Sequence, residues 1–170
     1  MKLGNVEVIC GAGLGKTSLA FGKGITALTE QKKVIIIQFL KGNDKREGLD
    51  MLKCLEPDFK VFRFEKSSTF FEELSEEQKA EELLNIRNGF NFAKKVVATG
   101  ECDVLILDEV LGIIDQNIIT LEDFEKLLDA KEDGMSLILT GKVFPDKLKP
   151  YVDAISTIDY IEVDKGKEGC

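Results

Sequence analysis

The chain has 170 residues, a length that suits one domain spanning 1–170 with one real core. Its 44% hydrophobic and 32% charged residues exclude a disordered chain, and the lack of any run of about 18 apolar residues excludes a membrane span. A net charge of −8 argues against a broad basic face for nucleic acid, and the absence of histidine removes the commonest general base and transition-metal ligand.

The first apolar run, VEVIC (6–10), predicts a buried strand. MKLGN runs straight into it, too short and too early for a signal peptide. A helical pattern covers 17–30, KVIIIQFL (33–40) predicts a second strand, and a weaker helix is expected over 44–55. KVFRF (60–64) is a third strand candidate. Ser75 and Gln78 then form a capping box, followed by Ala80, Leu83, Leu84, Phe90, Ala93, Val96 and Val97 at helical spacing. DVLILD (103–108) is the fourth strand. Thr120 and Asp123 cap a helix through Leu127, Leu128 and Ala130. SLILT (136–140), a short helix opened by Pro145 and a last strand over ISTIDYIEV (155–163) complete the pattern. Strands alternating with helices predict an α/β domain, a mainly parallel β-sheet with helices on both faces.

The chemistry-bearing residues cluster at the carboxyl ends of these strands. GAGLGKTS places Gly11, Ala12, Gly13, Leu14, Gly15, Lys16, Thr17 and Ser18 between the first strand and its helix. Such a loop curls so that its amides face an anion, Lys16 reaches phosphate oxygens, and Thr17 offers a Mg²⁺ position at the helix N-terminus. Cys10 stands where the usual phosphate loop has its first glycine. The plainer reading is a glycine-rich turn that only packs. Asp108 and Glu109 end a buried strand, where a carboxylate faces the ligand crevice and can hold Mg²⁺; two solvated acids would look the same. Lys41, in QFLKG, and Thr140 with Lys142, in LILTGK, are further candidates for the phosphates, or ordinary turn residues. Phe70 and Phe71 form either an aromatic lid over a flat ligand or an anchor on the core. Cys10, Cys54, Cys102 and Cys170 form no C-x-x-C pair, so neither zinc nor disulfides are expected, and reduced thiols suit a cytoplasmic protein.

Together these motifs resemble the P-loop type of ATP:corrinoid adenosyltransferase, a family with a single-domain P-loop NTPase-like fold. GAGLGKTS followed by LAFG is similar to its G-N-G-K-G-K-T-T and A-A-F-G, QFLKG to Q-F-[IL]-K-G, the Asp108–Glu109 pair to V-L-D-E, LILTGK to [IV]-T-G-R, and VDKG (163–166) to its D-K-G stretch. In that family, too, the residue at position 10 is typically not glycine. The resemblance implies transfer of the 5′-deoxyadenosyl group of ATP to Co(I) of a reduced corrinoid (cobalamin), with triphosphate leaving. It further implies Lys16 and Glu109 as catalytic, and Gly11 to Ser18, Lys41, Thr140 and Lys142 on ATP. Mg²⁺ would lie on Thr17, Asp108 and Glu109, and Phe70 and Phe71 would face the corrinoid. A homodimer and a flavodoxin-like reductant also follow from it, whereas the expectation of no nucleic-acid or membrane partner rests on the charge and the apolar-run length above. The departures are Leu14 for a loop lysine, Lys142 for an arginine, apolar residues after Glu109, and no tryptophan. They keep two alternatives open: another P-loop kinase or ATPase, and a nucleotide-binding relative without turnover.

Overall fold

A computed structural model describes residues 4–41, 47–69 and 71–163. The chain runs β1 (Val6–Cys10), α1 (Lys16–Thr29), β2 (Val34–Gln38), a 3-10 helix (Glu47–Leu55), β3 (Phe59–Arg63), a 3-10 turn (Phe71–Glu73), α2 (Glu76–Thr99) and β4 (Val104–Asp108). It continues through α3 (Val110–Asp115), α4 (Leu121–Asp129), β5 (Ser136–Thr140), a 3-10 helix (Asp146–Tyr151) and β6 (Ala154–Thr157). The strands form one parallel sheet in the order β3-β2-β4-β5-β1-β6.

Alternation along the strands explains why the runs read as continuously apolar. Ile35, Ile37, Leu105, Leu107, Leu137 and Leu139 face a core shared with α2, α3 and α4. Val34, Ile36, Val104, Ile106 and Ile138 face the opposite core, which α1 covers through Ala20 and Ala27. Each inner strand therefore needs apolar residues at both parities. Helix α2 starts as its sequence predicts, with Ser75 Oγ accepting from the Gln78 amide and the Gln78 side chain accepting from the Ser75 amide. No described helix is long and apolar enough to cross a membrane.

Four details differ from expectation. The second strand stops at Gln38, because Leu40 turns left-handed at φ 56. Within 44–55 the described part is a 3-10 helix, and residues 44–46 lie outside the described ones. The run VLGII was not expected to be helical; it forms α3, with Val110, Leu111, Ile113 and Ile114 buried. The last strand ends at Thr157 rather than continuing to 163, because the Ile158 carbonyl turns to accept from the Gly13 amide.

Candidate functional site

Register builds the site. Gln38 on β2 pairs with Arg63 on β3 and with Asp108 on β4, and Thr140 closes β5 beside them. One polar row thus crosses the carboxyl ends of four adjacent strands. Asp108 is its centre and is fully buried. Its carboxylate accepts from Thr140 Oγ1 at 2.7 Å, from Gln38 Nε2 at 2.8 Å, and from Thr17 Oγ1 at 3.0 and 3.1 Å. Lys41 Nζ lies 3.8 Å from Asp108 Oδ2 and donates to Thr17 Oγ1 at 3.2 Å. The row is tied at both ends. Arg63 Nε donates to Gln38 Oε1 at 2.7 Å, and Thr140 Oγ1 accepts from the Glu109 amide at 2.8 Å. A buried carboxylate is tolerable when cations and donors surround it in this way.

The glycine loop lies alongside. Gly15 caps α1 at φ 98 without a side-chain hydrogen bond, so the first helical amides have no partner within the helix, the condition under which a helix N-terminus can take an anion. Gly11, at φ 112, is required for a different reason: a Cβ there would stand 2.4 Å from the Ile158 carbonyl oxygen. The Gly11 amide donates to the Lys142 carbonyl at 3.0 Å and the Gly13 amide to the Ile158 carbonyl at 2.8 Å. Two of the loop amides expected to face an anion therefore hold the loop to its neighbours. Lys16 Nζ donates to the Gly13 carbonyl at 2.7 Å, which keeps the ammonium folded over the loop.

Of the residues expected from sequence, the fold brings Thr17, Lys41 and Asp108 into contact, while the Lys16 ammonium lies on the Gly13 carbonyl of the adjoining loop. Thr140 is fully buried and meets Asp108 rather than the crevice. Glu109 adopts φ 62 and its carboxylate folds over the first turn of α3, where a Cβ on Gly112 would come within 2.9 Å of Oε1. Asp108, not Glu109, is the acid in contact with Thr17. Ala12, Leu14 and Ser18 line the exposed rim, with Leu14 83% exposed. Lys142 is exposed, and its backbone carbonyl holds Gly11. Phe71 is half-buried at the start of a 3-10 turn, whereas Phe70 and residues 164–166 of VDKG lie outside the described residues.

Gln38, Arg63, Glu65 and Glu82 belong to the same end of the sheet, and sequence reading did not single them out. Gln38 carried a signal, a polar residue inside an apolar strand. Glu65 Oε1 accepts from the Leu40 amide at 2.7 Å, and buried Glu82 accepts from the amides of Lys66 and Ser67 at 3.1 and 3.0 Å. Burial pushes the Glu65 carboxyl up to about 7; the Leu40 amide opposes the shift, and the charge of Glu82 adds to it.

Among the described residues no cluster of three His, Cys, Asp or Glu could hold a metal. That does not disfavour Mg²⁺, which keeps several waters and takes one or two carboxylates with a nucleotide's phosphates. The all-oxygen pair of Thr17 and Asp108 beside an anion-binding helix end fits that ion.

The parallel sheet, the glycine loop and the acid in contact with the loop threonine are those of a P-loop NTPase-like fold. The chain belongs to the ATP:corrinoid adenosyltransferase BtuR/CobO/CobP family, whose model matches residues 2–168. It is 25% identical to the corrinoid adenosyltransferase of Escherichia coli (strain K12) over 91% of this chain and 76% of the relative. It is also 25% identical to corrinoid adenosyltransferase CobA of Salmonella typhimurium (strain LT2), with the same coverage. An uncharacterized protein of Nostoc sp. is 26% identical over 97% of this chain and 46% of its own length.

Proposed function

We propose that the chain transfers the 5′-deoxyadenosyl group of ATP to the cobalt of a reduced corrinoid. The cobalt(I) of the substrate supplies the electron pair, the bond from the ribose 5′ carbon to oxygen breaks, and triphosphate leaves with that bond's electrons. The observation that carries the reading is the contact of Thr17, Lys41 and Asp108 at the N-terminus of α1, beside the loop over which Lys16 folds. Family membership gives it a substrate.

In this reading the first amides of α1 and the two ammonium groups hold the triphosphate and stabilise charge on it as it departs. Thr17 and Asp108 would hold Mg²⁺, with Glu109, the other acid at this strand end, as a further candidate ligand; the ion would supply positive charge against the phosphates. Thr140 and Gln38 keep Asp108 oriented. Leu14, Ser18 and Lys142 border the phosphates, and Phe70 and Phe71 face the corrinoid. Because the substrate is itself the nucleophile, no general base is needed, which suits a chain without histidine. A homodimer, a flavodoxin-like reductant and a cytoplasmic setting complete the proposal.

The test combines purified protein, MgATP and chemically reduced cobalamin. A light-sensitive cobalt–carbon product is expected. Tight MgATP binding without that product, across several corrinoids, would instead make the chain a nucleotide-binding relative without turnover.

A further inference from the structure

Lys41 stands three residues beyond the end of β2 at Gln38. Continued as a strand, the chain would carry it about 10 Å past the polar row. It returns because Leu40 adopts φ 56, a region that a bulky L-residue occupies only at a cost. The turn leaves Lys41 Nζ 3.2 Å from Thr17 Oγ1 and 3.8 Å from Asp108 Oδ2. A strained turn of this kind persists only when its surroundings hold it. What holds it is a carboxylate from the neighbouring strand end. Glu65 Oε1 accepts from the Leu40 amide at 2.7 Å. Glu65 is in reach because it lies two residues past Arg63, which pairs in register with Gln38.

We infer that Glu65 is a positioning residue, which holds the left-handed turn at Leu40 so that the Lys41 ammonium stays over the Thr17–Asp108 pair. The inference rests on the reading of that pair as the phosphate side of the site. Glu65 meets no reacting atom; it acts through Lys41. The charged groups facing it are Glu82 from α2 and Arg63 from β3. A protonated carboxyl at Glu65 is a weaker acceptor for the Leu40 amide than the carboxylate is. The hold on Lys41 therefore weakens as pH falls through about 7.

The test is calorimetric titration of the full chain with MgATP. At pH 8, Lys41→Ala should weaken binding on the order of ten- to a hundredfold, as loss of a charged hydrogen-bond donor does. Glu65→Ala should weaken it by a comparable factor. The double variant should bind no more weakly than Lys41→Ala alone, because the carboxylate acts only through the lysine. Glu65→Gln keeps one carbonyl acceptor and carries the test if the alanine variant does not fold. Between pH 8 and pH 6 the wild type should lose several-fold more affinity than Glu65→Gln, with the titration of ATP itself common to both. Additive losses in the double variant, wild-type binding by Glu65→Ala, or parallel pH profiles for wild type and Glu65→Gln would overturn the inference. Wild-type binding by Lys41→Ala would overturn both the inference and the phosphate-site reading beneath it.

Discussion

Glu65 should make the stability of the fold fall as pH rises. Its carboxyl sits at about 7 in the folded chain against an ordinary 4.5, chiefly because burial disfavours the charged form. The folded state therefore holds this proton more tightly than the unfolded state does. The associated stability is fully present below 4.5 and is lost as pH rises through 7. A shift of about 2.5 pH units, at about 1.4 kcal/mol per unit, gives about 3.5 kcal/mol in total, of which roughly 2.5 kcal/mol falls between pH 5 and pH 8. Glu65→Gln cannot ionise. Urea unfolding of both proteins across that range should show the variant gaining about 2–3 kcal/mol relative to wild type by pH 8. Parallel stability profiles, or a wild type that gains on the variant with rising pH, would refute the burial argument.

Three further outcomes follow from the site and its surroundings. Asp108→Asn should fold but bind MgATP on the order of ten- to a hundredfold more weakly in calorimetry, since charged acceptors become neutral ones and one amide N–H must face the hydroxyl donors of Thr17 or Thr140. Leu14→Lys should leave the melting temperature unchanged, because the side chain is 83% exposed, and should tighten MgATP binding by about two- to fivefold in low salt, an effect that added salt removes. In alkylation followed by mass spectrometry, exposed Cys54 should react in the folded protein. Buried Cys10 and Cys102 should wait for unfolding, the latter with its thiol pushed up to about 12 by burial.

The sheet was legible because its inner strands are buried on both faces and so must be apolar at successive positions. The capping box at Ser75 and the Thr120 cap likewise announced their helices at the right residues. Helix α3 was hidden for the same reason that its strand was plain. VLGII continues an apolar run, and the break between them is a left-handed Glu109 with no capping side chain to mark it. The last strand was overrun because ISTIDYIEV keeps apolar residues well past Thr157, while its end is fixed by a contact with Gly13 that lies far back in the chain. The grouping of Thr17, Lys41 and Asp108 was legible because motif spacing placed each at a strand end or helix start. The contact of Thr140 with Asp108 was not legible, since its neighbours in sequence do not reveal which strand end lies beside it. Glu65 could not be found, because its role depends on which strand lies beside β2 and on a left-handed leucine.

The account stands most directly on the fate of the phosphates. In a single turnover with MgATP and chemically reduced cobalamin, phosphorus NMR should show intact triphosphate equal in amount to the alkylated corrinoid formed, with no ADP. Orthophosphate and ADP without cobalt–carbon product would contradict it and make the chain a phosphoryl-transfer enzyme instead.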